Sequence, residues 1–242
     1  TIIMKEGTTS NIIDGKDGTD TVSYEEYTAG VSVNLSTTNA QDVVAGDSDT
    51  LLNIENVKGS SYSDTFKSNE SVDNNFSGGL NTNEVGGDTV DYSGVTVDDA
   101  SLDFVNIDLT NNGKITIDSG ITATDTFTDI ENVIGSAGND TIKGDASANT
   151  LEGGAGDDTL AGGAGDDTLD GGTGLNTVSY DGVASNINVN LTTETATGDG
   201  TDTLKNIQNV IGGTLADTII MKEGTTSNII DGKDGTDTVS YE

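Results

Sequence analysis

The chain contains no cysteine, proline, histidine, tryptophan or arginine in 242 residues. Without Cys it has no disulfides, no thiol nucleophile and no Cys-based zinc site. Without His it cannot build a Ser-His or Cys-His nucleophile pair, nor an HExxH zinc site. Aromatic residues make up only 4% and hydrophobic residues 31%, too little for a single core of ordinary globular type. Basic residues are scarce as well: nine Lys face 42 Asp and Glu, for a formal charge of -33. That surface repels phosphate, which excludes nucleic acid and anionic membrane surfaces as partners. No apolar run approaches the ~20 residues that span a bilayer, so no membrane insertion is expected.

Such a charge usually means disorder. Against that reading, Val, Ile and Leu recur in short, spaced, strand-like runs, and 33 Gly punctuate them. The expectation is an all-β, thin, repetitive fold with no substantial helix, in which a multivalent cation neutralises the carboxylates. Calcium suits ligands of this kind, Asp and backbone carbonyl oxygens.

Self-similarity organises the chain. Residues 1–25 recur letter for letter at 218–242, a period of 217 residues. The reading is a window onto a tandem array; the alternative is a single duplicated edge. Inside the period four weaker anchors recur in order. The first is Asp20–Tyr24 (DTVSY), with counterparts at Asp88–Tyr92, Asn176–Tyr180 and Asp237–Tyr241. Next come the alternating runs 31–35, 105–109 and 187–191, then LNIENVKGS, DIENVIGS and NIQNVIGG, starting at 52, 129 and 206. SDTF, NDTI and ADTI follow directly. These anchors divide the chain into 1–19 (the end of a preceding unit), sub-repeats 20–87, 88–175 and 176–236, and 237–242, the start of the next unit.

From Gly135 to Ser179 the period tightens to nine residues without gaps: GSAGNDTIK, GDASANTLE, GGAGDDTLA, GGAGDDTLD and GGTGLNTVS. Position 8 is always aliphatic (Ile142, Leu151, Leu160, Leu169, Val178), and position 6 is Asp140, Asn149, Asp158, Asp167 and Asn176. A Gly-rich half-block makes a tight turn with exposed carbonyls, and the other half supplies a short strand with one residue pointing inward. Two blocks make one turn of a flattened coil, with coils stacked ~4.8 Å apart. Position-6 side chains and turn carbonyls two blocks apart then converge.

These blocks resemble the RTX (repeats-in-toxin) calcium-binding nonapeptides of secreted bacterial proteins. Partial copies stand at 15–23, 59–67, 212–220 and 232–240, and the flanking anchors resemble segments interleaved with such repeats in large surface proteins. The resemblance implies a right-handed parallel β-roll or β-solenoid that folds on binding Ca2+ outside the cell. Carried over residue by residue, it pairs Asp140 with Asp158, aided by the carbonyls of Gly135, Ala137, Gly154 and Gly156. It also pairs Asp158 with Asn176 and Asn149 with Asp167. Those two sites should bind more weakly, because Asn brings an oxygen without charge. Block 144–152 lacks Gly at positions 2 and 4, which puts its turn in question. Asp20 and Asp237 fit position 6 of partial copies and are further calcium candidates.

The remaining recurrent residues have plainer readings beside functional ones. Asp157 and Asp166 read as solvated turn charges, and Asp64 and Asp217, in Gly-poor turns, as structural. Asn56, Asn132 and Asn209 are either a stacked ladder or surface-turn residues. Tyr24, Tyr92 and Tyr180 read as packing caps rather than a ligand platform. Thr141, Thr150, Thr159, Thr168 and Thr177 should form outward rows two or three long on each face. An enzyme using a carboxylate pair is formally open, yet every tandem copy would have to carry its site, so no catalysis is expected. The favoured function is a calcium-dependent extender in a secreted surface or filament protein, whose partners are calcium and neighbouring copies. The alternative is a calcium-dependent module binding a glycan, another surface ligand or ice.

Overall fold

A computed structural model describes residues 1–7, 10–39, 41–44, 47–68, 72–79, 86–95, 104–111, 114–117, 124–223 and 228–242. Among them are 26 short strands and one 3-10 turn, Leu109–Asn111. No helix among the described residues is long and apolar enough to cross a membrane.

The strands assemble into four sheets of eleven, seven, five and three strands. The nonapeptide run builds the middle of the two largest. Strands Thr141–Lys143, Thr159–Ala161 and Thr177–Ser179 pair in parallel on one side. Thr150–Glu152 and Thr168–Asp170 pair in parallel on the other. Blocks 18 residues apart therefore stack directly, and consecutive blocks lie on opposite sides, as two-block coils require. The chain is a parallel β-roll, and the flanking segments share its sheets. Asn132–Ile134 lies against Thr150–Glu152, Thr201–Lys205 against Thr168–Asp170, and Asn209–Ile211 against Thr177–Ser179.

The core is the sum of inward residues, one per half-coil. Ile107, Ile142, Leu160, Val178 and Val210 lie in register on one side, and Val133, Leu151, Leu169 and Leu204 on the other. All are fully or almost fully buried. Near the N-terminal end three aromatics widen this column. Phe66 and Phe76 stack with ring centroids 5.4 Å apart, and Phe76 and Phe127 at 6.3 Å, all nearly parallel. A thin fold thus stays dry inside with few apolar residues, because each is buried completely.

Among the described residues four antiparallel pairings, at three places, interrupt the parallel stack: Gln41–Val44 with Asp47–Leu52, Val105–Asp108 with Lys114–Ile117, and Thr195–Thr197 with both Asn188–Asn190 and Thr201–Lys205. At the fourth residue of each alternating run the chain turns through a side chain: Asn34, Asp108 and Asn190 accept the amides of Ser36, Thr110 and Thr192 at 2.8–2.9 Å. After Asp108 and Asn190 the turn leads back along the run's own strand, whereas Gln41–Val44 pairs with the later Asp47–Leu52. An Asn or Asp side chain that takes the amide two residues on turns the chain locally.

The outward rows are longer than the block spacing alone predicts. Ser32, Thr65, Thr89, Asn132, Thr150, Thr168 and Thr203 stand in continuous register along the eleven-stranded sheet. Flanking strands carry Ser, Thr or Asn at the same position and so extend the row. The recurring Asn residues do not stack on one another as a ladder: Asn56, Asn132 and Asn209 belong to three different sheets.

Candidate metal centre

Position 6 is the buried polar spine of the roll. Asp140, Asn149, Asp158, Asp167 and Asn176 are all at most 2% exposed. Each folds back over the Gly that opens its own turn, and only a residue without a side chain leaves that room. A Cβ on Gly153 would lie 2.3 Å from Asp158 Oδ2, and one on Gly162 would lie 2.1 Å from Asp167 Oδ2.

The position-6 residues are chained along the axis through their backbone amides. Asp140 N–H donates to Asp158 Oδ1 at 2.8 Å, and Asp158 N–H to Asn176 Oδ1 at 3.0 Å. On the opposite side Asn149 N–H donates to Asp167 Oδ1 at 2.8 Å, and Asp167 N–H to Asp202 Oδ1 at 3.2 Å. The pairs expected from the spacing are therefore brought together. The turn of block 144–152 closes despite its missing glycines, because Asn149 Oδ1 accepts the Asp145 amide at 2.9 Å and Asp145 Oδ1 accepts that of Ser147 at 2.8 Å. Asp157, by contrast, does not merely face solvent: its Oδ1 accepts the Leu175 amide of the next coil at 2.8 Å. Asp166 Oδ1 takes that of Thr201 at 2.9 Å.

The second oxygen separates two kinds of turn. In Asp140 it is engaged: Oδ2 accepts the Ser136 amide at 2.6 Å, while Oδ1 takes both Ser136 Oγ and the Val105 amide at 2.8 Å. Asp64 repeats that arrangement with Ser60 and Val31. Asp217 Oδ2 accepts the Gly213 amide at 2.7 Å. Asp158 Oδ2 and Asp167 Oδ2 are buried with no hydrogen-bond partner, one on each side of the roll. Burial pushes both carboxyls up to about 7; the Asp140 and Asp157 charges add to this at Asp158, and that of Asp202 at Asp167. The lysine ion pairs of the described residues reach other carboxylates: Glu26, Asp14, Glu25, Asp91, Asp181 and Asp231.

A buried carboxylate oxygen with neither donor nor counter-ion is costly unless it is protonated or holds a cation. The donor set, carboxylate with backbone carbonyl, is of the hard-oxygen type that Ca2+ takes. Among the described residues no three acidic side chains cluster as a metal site, so carbonyls would have to complete the shell. The turns supply them in layers. The Gly154 carbonyl lies beneath Gly172 and accepts the Thr173 amide at 2.8 Å, and the Gly156 carbonyl lies beneath Gly174. Gly135 sits beneath the Gly153 carbonyl, and Ala137 is on the exposed rim of the block below.

The family model of the RTX calcium-binding nonapeptide repeat, four copies long, matches residues 125–160 and again 144–178. These residues are RTX repeats. RTX nonapeptides bind Ca2+, and the match covers the stretch in which Asp158 Oδ2 and Asp167 Oδ2 lie; a third partnerless buried carboxylate oxygen, Asp47 Oδ1, lies outside it. No curated protein matches the chain.

Asp20 and Asp237 lie outside the nonapeptide run but fold back over Gly15 and Gly232 in the same way. Asp237 Oδ1 accepts the Asp217 amide at 2.9 Å, and the Asp20 amide donates to Glu55 Oε2 at 2.8 Å. The latter contact exposes residues that nonapeptide spacing does not reveal. Asp88 N–H donates to Glu131 Oε2 and Asn176 N–H to Gln208 Oε1, each at 2.8 Å. The Glu or Gln of each I-x-N-V anchor thus occupies the rung that a position-6 Asp would fill. Asp49, Asp125 and Asp202 are also missed by that spacing. They are fully or almost fully buried, and each opens a D-T-[LF] triplet five residues before the anchor's Ile. The signal is that triplet, the D-T half-block followed by a large apolar residue but without its Gly-rich turn.

Proposed function

We propose that this chain is a calcium-rigidified extender: a unit of a long secreted bacterial surface or filament protein, with a structural and not a catalytic role. The observation that carries this reading is the pair of partnerless buried oxygens, Asp158 Oδ2 and Asp167 Oδ2, within RTX repeats. Without calcium the chain's charge of -33 and its buried carboxylates oppose coil stacking. At millimolar extracellular calcium, ions in the turns cancel that charge and couple binding to folding. Extracellular modules bind calcium with Kd of ~10⁻⁴–10⁻³ M, which suits a chain that stays loose before export and stiffens after it. In this reading Asp158 and Asp167 are the charged ligands, Asn149 and Asn176 are neutral ones, and turn carbonyls including those of Gly135, Ala137, Gly154 and Gly156 complete the shells.

Calcium titration followed by far-UV circular dichroism and small-angle scattering tests this. The expected result is an expanded chain in chelator that becomes β-rich and rod-like at millimolar calcium, with magnesium ineffective. A chain already folded in chelator at about pH 8, where the buried carboxyls are ionised, would overturn the switch.

One observation favours an adhesive role beside the structural one: the seven-residue outward row from Ser32 to Thr203, longer than the nonapeptide run alone would build. Glycan-array and ice-recrystallisation assays of the calcium-loaded chain decide it, and no binding in either removes that reading.

A further inference from the structure

Residues 1–25 and 218–242 are one sequence in two places, so whatever differs between them reflects their neighbours. Their own pairing is the same. Ile2 lies opposite Val22 in the first copy, and Ile219 opposite Val239 in the second. What flanks them is complementary. In the first copy Val22 pairs onward with Val57, and Ile13 with Leu51. In the second copy the opposite edges are used: Ile219 pairs back with Val189, and Ile230 with Val210. Strands Thr238–Tyr241 and Ile230–Asp231 end their sheets. Residues 8–9 and 224–227 lie outside the described residues.

Exposure follows the same division. Val22 and Tyr24 are fully buried, whereas their twins Val239 and Tyr241 are 43% and 60% exposed. The first copy shows what covers them. Val57 lies in register beside Val22, and the Tyr24 hydroxyl is 3.5 Å from Asp49 Oδ2. Superposing the two copies uses each strand edge once and none twice. An exposed apolar strand edge invites pairing with another strand, and here the sequence repeat specifies which strand.

We propose that strands Ile230–Asp231 and Thr238–Tyr241 are a docking edge for a second copy of this repeat, whose residues 47–58 complete them. Successive 217-residue units then form one uninterrupted solenoid with no hinge between them. The inference rests on the extender reading only for the existence of an array. The register also dictates how the sheets join. The eleven-stranded sheet of one unit runs on into the five-stranded sheet of the next, and the seven-stranded into the three-stranded. The two sides of the roll therefore exchange sheets at every junction.

The test extends this chain by one period, repeating residues 26–242 after Glu242. In calcium the extended chain should melt in one transition and scatter as a single rod. Amides of residues 238–241 should exchange as slowly as those of 21–23, although they exchange fast in the shorter chain. Val239→Asp should be nearly silent in the shorter chain but should split or lower the melting transition of the extended one. Fast exchange at 238–241 in a folded extended chain, or equal and small effects of Val239→Asp in both, would overturn the junction. Chelator separates the two readings. Folding of the extended chain without calcium sinks the switch and spares the junction; calcium-dependent folding with an unprotected 238–241 does the reverse.

Discussion

Tyr180 donates its phenolic hydrogen to Asp202 Oδ2 at 2.7 Å, and the other oxygen of that carboxylate accepts the Asp167 amide at 3.2 Å. Tyr92 and Asp125 repeat the relationship at 2.7 Å, with the Asn74 amide on the second oxygen. Tyr24 and Asp49 form a looser version at 3.5 Å. The tyrosines are therefore packing caps whose hydroxyls satisfy an Asp oxygen in place of the cation that the RTX turns call for. Burial, and next the neighbouring carboxylate charge, pushes each phenol well above its ordinary pKa, so it stays a donor.

Replacing Tyr180 by Phe keeps the ring and removes that donor, and should cost about 1–3 kcal/mol, the penalty of a buried acceptor left without a partner. Tyr92→Phe should cost less, because the Ser68 hydroxyl also hydrogen-bonds Asp125. Tyr24→Phe should cost less, since 3.5 Å is at the limit of a hydrogen bond. Thermal melts in saturating calcium measure the difference, and equal losses at all three positions would contradict this ranking.

Calcium affinity should divide along the second oxygen. Asp158→Asn and Asp167→Asn each remove a charged oxygen that has no protein partner, so each should weaken calcium binding by on the order of tenfold. Asp140 already engages both its oxygens with Ser136 and Val105. Asp140→Asn should therefore lower the melting temperature more than it alters the calcium midpoint. Isothermal calorimetry with each variant separates the two effects. An unchanged affinity in Asp158→Asn would remove that residue from the ligand set.

The nonapeptide stack was legible because its period is short and unbroken: an interval of 18 residues places Asp140, Asp158 and Asn176 on one line with no intervening loop of uncertain length. The Tyr–Asp pairs were not legible. Their members are 22 to 33 residues apart, across segments of unequal length, so no fixed spacing links them. Glu55 and Glu131 stayed hidden for a different reason. They stand on the rung of a position-6 Asp but sit in an anchor without the Gly-rich turn. Two hairpins were written in the chain as D-L-T and N-L-T, yet the similar N-L-S at 34–36 opens none between its own flanking strands, so such a side-chain turn is too local to distinguish a reversal from a strand end until its partner strand is seen.

Two glycines with positive φ should behave differently when replaced. Gly182 has φ 83° and open space within 4 Å of where an added Cβ would sit, so Gly182→Ala should cost only the left-handed strain of about 1–2 kcal/mol. At Gly174, φ is 130° and a Cβ would lie 1.9 Å from the Gly156 carbonyl of the coil below. Gly174→Ala must push the two coils apart as well, and the strands they carry, Thr159–Ala161 and Thr177–Ser179, should lose cooperativity. Melting of both variants in calcium should show a small shift for the first and a broadened or split transition for the second.

The pH dependence should reverse sign with calcium. Burial raises Asp158 and Asp167 from an ordinary 3.8 to about 7 in the fold. With folded pKa values above the unfolded ones, the metal-free fold takes up protons as it forms. That contribution is complete below about pH 4 and is lost as pH rises through 7. Calcium needs the same oxygens deprotonated, so its binding weakens as pH falls through the same window. In chelator, the β signal by circular dichroism should grow from about pH 8 to about pH 5. At a fixed subsaturating calcium concentration, calcium-induced folding should instead be strongest near pH 8, about one unit above those folded values. The double variant Asp158→Asn, Asp167→Asn should flatten the chelator curve. Were that curve to keep its full slope, the proton uptake would belong to other buried carboxyls such as Asp202 and Asp125, whose pKa values burial also raises.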